Sequence, residues 1–229
     1  GVIFLGRLMS KILSTSDLKA GDVILCFENS KFDPLGKKIQ KVTGSEYVHA
    51  GIFLGDNMVV ESMTSGLTKE SISNVIARYD HVAIIRRHDA WCESNIVLLR
   101  YFAEKALETG CKYNFSGVMK FKQSKQLHEA TVIQQLEDYF SGNMVQKSPL
   151  KHQYFCSEFV VDCFIATGFI DQSAAVYYNS ETFAPGDLGK DPTFGYFLGY
   201  ISDDENYQVP EADEFYNQST WEDIFEPKI

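Results

Sequence analysis

The segment Phe155-Cys156-Ser157-Glu158 opens an apolar run, Phe155–Thr167, that has helical spacing and is closed by Gly168. A cysteine at such a start is well placed to be a nucleophile. The first turn of a helix offers unpaired N–H groups and a positive dipole end, which together lower the pKa of a thiol. The N–H of Cys156 itself would face a reacting carbonyl and form half of an oxyanion hole. The chemistry this allows is attack on an amide or ester, through an acyl-thioester that passes to water or to an acceptor amine or alcohol.

Such a thiol needs an imidazole held close to it. Of the five histidines, His49 alone lies inside a clear strand pattern, Tyr47–Leu54, where it alternates with Val48 and Ala50. Its second N–H requires an acceptor that fixes tautomer and orientation. Glu61, twelve residues on in the paired strand, is expected to lie level with His49 across the ladder and to fill that role.

Each assignment has a plainer alternative. Cys156 could be a buried structural thiol, His49 a satisfied core histidine, and Glu61 a carboxylate at a strand end. The pairing of a strand histidine with a helix-start cysteine favours chemistry. Cys163, two turns along the same face, reads as core packing. Tyr47 and Tyr154 are candidates for a second oxyanion donor, with packing at an edge the simpler role. His81, His88, His128 and His152 read as surface residues. Glu158 and Asp162 read as solvated helix positions, although Glu158 could also cap the helix or line the cleft.

The elements that must hold these side chains can be traced along the chain. Val23–Phe27 is an apolar run of strand length after a polar turn, and Leu35–Val42 has the spacing of a short surface helix. Tyr47–Leu54 and Met58–Ser62 flank Gly55-Asp56-Asn57, which is hairpin chemistry. His81–Arg87 is a further strand, and Ser94–Thr109 a helix ended by Gly110. Residues 1–16 read as an amphipathic helix followed by a turn, 122–151 as a polar insertion with a helix over Glu129–Phe140, and 203–229 as an acidic aromatic tail.

Composition narrows the partners. The chain has 229 residues, 45% of them apolar, which suits one domain with a single sizeable core. Its net charge is −10. From Asp203 onward nine acids face Lys228 alone, a net of −8, which leaves the first 202 residues at −2. Clustered Lys and Arg are missing, so nucleic acid is not an expected partner. No apolar stretch is long enough to span a membrane. The five cysteines form no zinc-like pair and no disulfide framework, and neither metal nor cofactor is expected. The tail reads as a solvated extension, with docking of its aromatic residues onto the body or onto a partner as the alternative.

Taken together, Asp22-Val23-Ile24, His49-Ala50-Gly51-Ile52-Phe53-Leu54-Gly55-Asp56 leading to Glu61, and Phe155-Cys156-Ser157-Glu158-Phe159-Val160 resemble the circularly permuted NlpC-like papain-fold proteins. That group includes YiiX-like proteins and relatives of lecithin:retinol acyltransferase, and in it the histidine precedes the cysteine. The resemblance implies an α+β fold in which an antiparallel sheet carrying His49 and Glu61 packs against the helix begun by Cys156. It gives Cys156, His49 and Glu61 the roles of nucleophile, base and orienting group. The acyltransferase branch has a second histidine where this chain has Glu61, so the carboxylate leans toward the hydrolase side. The implied substrate is a peptide amide of the bacterial cell wall, held in a cleft by a protein that is exported or delivered as an effector. A lipid or protein acyltransferase or thioesterase is the alternative. A non-catalytic binding module, engaging a chaperone or an immunity protein, is the reading from a different class.

Overall fold

The computed structural model describes residues 11–28, 34–89, 91–144 and 147–226. Its frame is a six-stranded antiparallel sheet in the order β4-β3-β2-β1-β5-β8. The members are β1 (Val23–Phe27), β2 (Tyr47–Gly55), β3 (Met58–Met63), β4 (Gly66–Ser71), β5 (His81–Arg86) and β8 (Tyr196–Ile201). Between these strands run α1 (Pro34–Thr43), α2 (Ile72–Ile76), α3 (Glu93–Glu108), α4 (Phe115–Phe140) and α5 (Cys156–Ala166). The short helices α6 (Ala174–Tyr177) and α7 (Pro185–Leu188) follow α5, and α8 (Trp221–Phe225) closes the tail. A small parallel pair, β6 (Lys112–Tyr113) with β7 (Gln153–Tyr154), leads into α4 and α5. The expected α+β class is what the chain adopts.

Alternation along the strands sends side chains to two apolar layers. Val23, Leu25, Ala50, Ile52 and Val60 pack with Phe159, Val160, Cys163 and Phe164 of α5. Ile24, Cys26, Phe53 and Val59 pack with Ile72, Val75 and Ile76 of α2. Cys163 is fully buried in the first layer, as its spacing suggests.

The β2–β3 hairpin turns on Asp56 and Asn57, both at positive φ (51° and 60°), the geometry of a type I′ turn. Its register differs from the expectation. Glu61 pairs with Gly51, not with His49, because the turn centres one residue further on than level pairing requires. An offset of two residues keeps the same face. His49 and Glu61 are therefore diagonal neighbours, with only a glycine between them.

Four other expectations are corrected. The helix expected over residues 1–16 falls outside the described residues over 1–10. From residue 11 the chain is extended, with Ile12 bridged to Tyr200, and only Thr15–Asp17 forms a turn of 3-10 helix. The stretch 122–151 does not begin as a separate unit, since α4 runs unbroken from Phe115. Its start is set by Asn114, whose side chain accepts from the N–H of Gly117 at 2.8 Å. His81 and His128 are buried, the second donating through Nε2 to the carbonyl of Tyr177 at 2.8 Å. Glu158 and Asp162 are also buried, for want of solvent on a helix that is enclosed along its length.

The tail is docked rather than solvated. Buried Asp213 accepts from the hydroxyls of Tyr47 (2.9 Å) and Tyr200 (2.5 Å) and lies 3.2 Å from Nε2 of His81. Glu214 accepts from Ser45 Oγ at 2.8 Å and from the N–H of Glu46 at 3.2 Å, so the tail holds the chain that enters β2. Phe215 is fully buried and stacks on Phe197. A Cβ on Gly189 would lie 2.3 Å from the Phe215 ring, which explains why the wall of that seat is glycine. Phe215→Ala is expected to lower stability by roughly 3–5 kcal/mol. Urea denaturation checks this, and a midpoint equal to wild type would show that the tail contributes little.

Candidate active site

Two-residue β7 delivers the chain to α5, and Phe155 adopts extended backbone (φ −93°, ψ 171°) as the N-cap. Cys156 is thus the first helical residue, with an N–H that has no acceptor inside the helix. Glu158 turns back to accept from the N–H of Phe155 at 3.1 Å, the carboxylate half of a capping box. Lys151 at 2.8 Å and Asn114 at 3.2 Å balance that carboxylate, which limits its opposition to charge on the nearby sulfur.

His49 comes from the middle strands of the sheet. Its Nε2 lies 2.8 Å from Oε2 of Glu61, and Cys156 is near enough to act on the ring's pKa. With Nε2 engaged by Glu61, Nδ1 is the nitrogen left for the sulfur. Tyr79 stacks against the ring at 5.8 Å and 11°, fixing its plane. Burial alone would disfavour the imidazolium, but the interactions with Cys156 and Glu61 win and push the His49 pKa up to about 9. Glu61 is fully buried, which by itself raises a carboxyl pKa; hydrogen bonding and charge from His49 and Arg78 outweigh this and hold it below the usual range. The structure therefore brings Cys156, His49 and Glu61 together as one connected array.

Two neighbours carry no sequence signal. Arg78, just after α2, pairs with the other oxygen of Glu61, and Tyr79 is the stacking ring. Only spacing to a strand not adjacent in sequence could have found them. Conversely, Tyr47 and Tyr154 are not free to serve an oxyanion, since their hydroxyls donate to Asp213 at 2.9 Å and to the carbonyl of Pro149 at 2.6 Å. Replacing Arg78 by Met should slow alkylation of Cys156 by iodoacetamide roughly tenfold, while Arg78→Lys, which keeps the charge, should lose less. Equal rates in wild type and both variants would mean that the charge of Arg78 does not act on the sulfur.

The thiol is roofed. Cys156 is 1% exposed, and beside it is a void of about 10 Å³ walled by Ile39, Val42 and Thr43 of α1, Val118 and Phe121 of α4, Phe155 and Pro185. Among the described residues, no group of three or more His, Cys, Asp and Glu side chains is arranged to hold a metal ion.

A helix-start cysteine, set against an antiparallel sheet that carries a histidine and then a carboxylate earlier in the chain, defines a papain-like thiol site in permuted order. The family described as "Permuted papain-like amidase enzyme, YaeF/YiiX, C92 family" matches residues 17–126, a stretch that includes His49 and Glu61 and stops before Cys156. Over that stretch, just under half of its length, the chain is similar to the permuted papain-like family of the YaeF/YiiX type. It is 27% identical over 168 residues to the Escherichia coli (strain K12) protein named "Probable lipoprotein peptidase YaeF", a match covering 69% of this chain and 59% of that one. The chain thus spans less than two thirds of that relative. A crystal structure of the metalloprotein yiiX from Escherichia coli O157:H7 aligns over 79% of this chain and 88% of its own, at 16% identity and a TM-score of 0.45.

Proposed function

We propose that this chain is a cysteine amidase or peptidase in which Cys156 attacks, His49 carries the proton and Glu61 orients the imidazole. The observation that supports this reading is the continuous Cys156–His49–Glu61 array, with the sulfur at a helix start and the imidazole favouring its charged form. His49 takes the thiol proton, the Cys156 N–H steadies the oxyanion, and His49 returns the proton to the departing amine. Water then releases the acyl group.

As substrate we propose a stem-peptide amide of peptidoglycan, which requires an exported or delivered protein. The naming of the relative as a lipoprotein peptidase supports export, and among the described residues no helix is long and apolar enough to cross a membrane. An immunity protein or a chaperone would be the partner of a delivered form. Digestion of purified peptidoglycan followed by mass analysis tests this: new peptide fragments that disappear with Cys156→Ala are expected, and unchanged sacculi would refute the substrate. One observation favours a second reading, a thioesterase or acyltransferase. The wall at the sulfur is almost wholly apolar, which suits an acyl chain. Release of free thiol from a long-chain acyl thioester, with no peptidoglycan products, would select it.

A further inference from the structure

We infer that a second cavity, separate from Cys156, is a binding site for a small molecule with an apolar body and a single cationic amine. This cavity has a volume of about 630 Å³ and lies between the end of α4 and the second half of α5, beside α6. None of Cys156, His49 or Glu61 lines it. Its size falls among small-molecule sites, roughly 300–1,000 Å³.

The walls are apolar, with Ile165, Ala175 and Val176 among them, whereas the floor is ionic. There Nζ of Lys151 lies 2.8 Å from Glu158, 2.7 Å from Ser180 Oγ and 2.7 Å from Oδ2 of Asp162. Two of the three ammonium donors go to Glu158 and Ser180 Oγ, while Asp162 stands against the same nitrogen as an ion pair, so an anionic ligand would meet two carboxylates there. Two carboxylates share one cation, and the floor keeps a surplus negative charge. Asp162 is 2% exposed, and its Oδ2, although close to Lys151, has no well-directed donor. Burial pushes the Asp162 carboxyl up to about 7, with Lys151 pulling against it. At the rim, Asp171 and Glu181 outnumber Lys147. A ligand ammonium would supply both the missing donor and the missing charge, while its apolar part covers the walls.

The test uses three probes of similar size: hexylamine, hexanoate and hexanol. Binding to the wild-type chain is measured by isothermal titration calorimetry at pH 8, where Asp162 is ionised and the amine remains charged. Saturable one-to-one binding of hexylamine is expected, at least about tenfold tighter than either other probe. Asp162→Asn should remove that preference, and Ala175→Trp, which fills the cavity, should abolish binding. If Asp162→Asn does not fold, Ala175→Trp still decides the location and the three probes still decide the charge. No saturable hexylamine binding, equal or tighter binding of hexanoate or hexanol, or undiminished hexylamine binding to Ala175→Trp would each overturn the inference. None of these readouts depends on the activity of Cys156.

Discussion

Cys156→Ala is expected to lose turnover by at least about a thousandfold while the protein still folds. Alanine removes only the sulfur from the first turn of α5, where backbone propensity is not compromised. The side chain is nearly fully buried among Ile39, Val118, Phe121 and Phe155, so a small void costs stability of about 1–2 kcal/mol. Nothing else among the described residues sits at the start of this helix with an imidazole in reach, and the lost chemistry has no substitute. Peptidoglycan digestion and an acyl-thioester assay, read beside a melting curve, check this. Turnover retained by a folded alanine variant would remove Cys156 from the mechanism.

His49→Ala should have the second-largest effect. Without the imidazole, alkylation of Cys156 at pH 7 should slow about tenfold or more, since a free thiol is only a few per cent thiolate there. Glu61 would be left buried with Arg78 alone, adding a loss of roughly 1–3 kcal/mol. The pH dependence has a definite sign. A histidine titrates near 6.5 in an unfolded chain and at about 9 here, so the imidazolium adds stability in full below pH 6.5. That contribution fades as pH rises through 9, and alkaline melting curves of wild type should show the loss while those of His49→Ala should not. Glu61→Gln should be milder, because the amide oxygen still accepts from the ring but cannot balance its charge. A melting temperature with the same alkaline slope in wild type and His49→Ala would place His49 outside the charged array.

Much of this arrangement is written in local sequence. A helix that starts at Cys156 follows from an apolar run with a glycine stop, and the hairpin from two strand patterns joined by residues that tolerate positive φ. These are properties of neighbouring residues, governed by backbone sterics and period. The register was less legible. Whether Glu61 lies level with His49 or two residues away depends on where the turn centres and on a bulge beside Phe53, which a side-chain pattern does not encode.

Long-range neighbours decided the rest. Arg78 and Tyr79 lie seventeen and eighteen residues beyond Glu61 with no motif around them, and only the seating of α2 on the sheet brings them to the site. The charge of the tail suggested solvent, yet its aromatic residues and Asp213 found a buried seat against His81, Tyr47 and Tyr200. Likewise Asp162 and Glu158 looked exposed until Lys151, from a loop outside the helix, supplied their counter-charge. Local pattern was enough to single out a candidate nucleophile and base, because helix starts and strand faces are set by neighbouring residues. Tertiary structure alone decided which buried charges have partners, because the free energy of a buried ion depends on what the folded chain brings within a few ångströms of it.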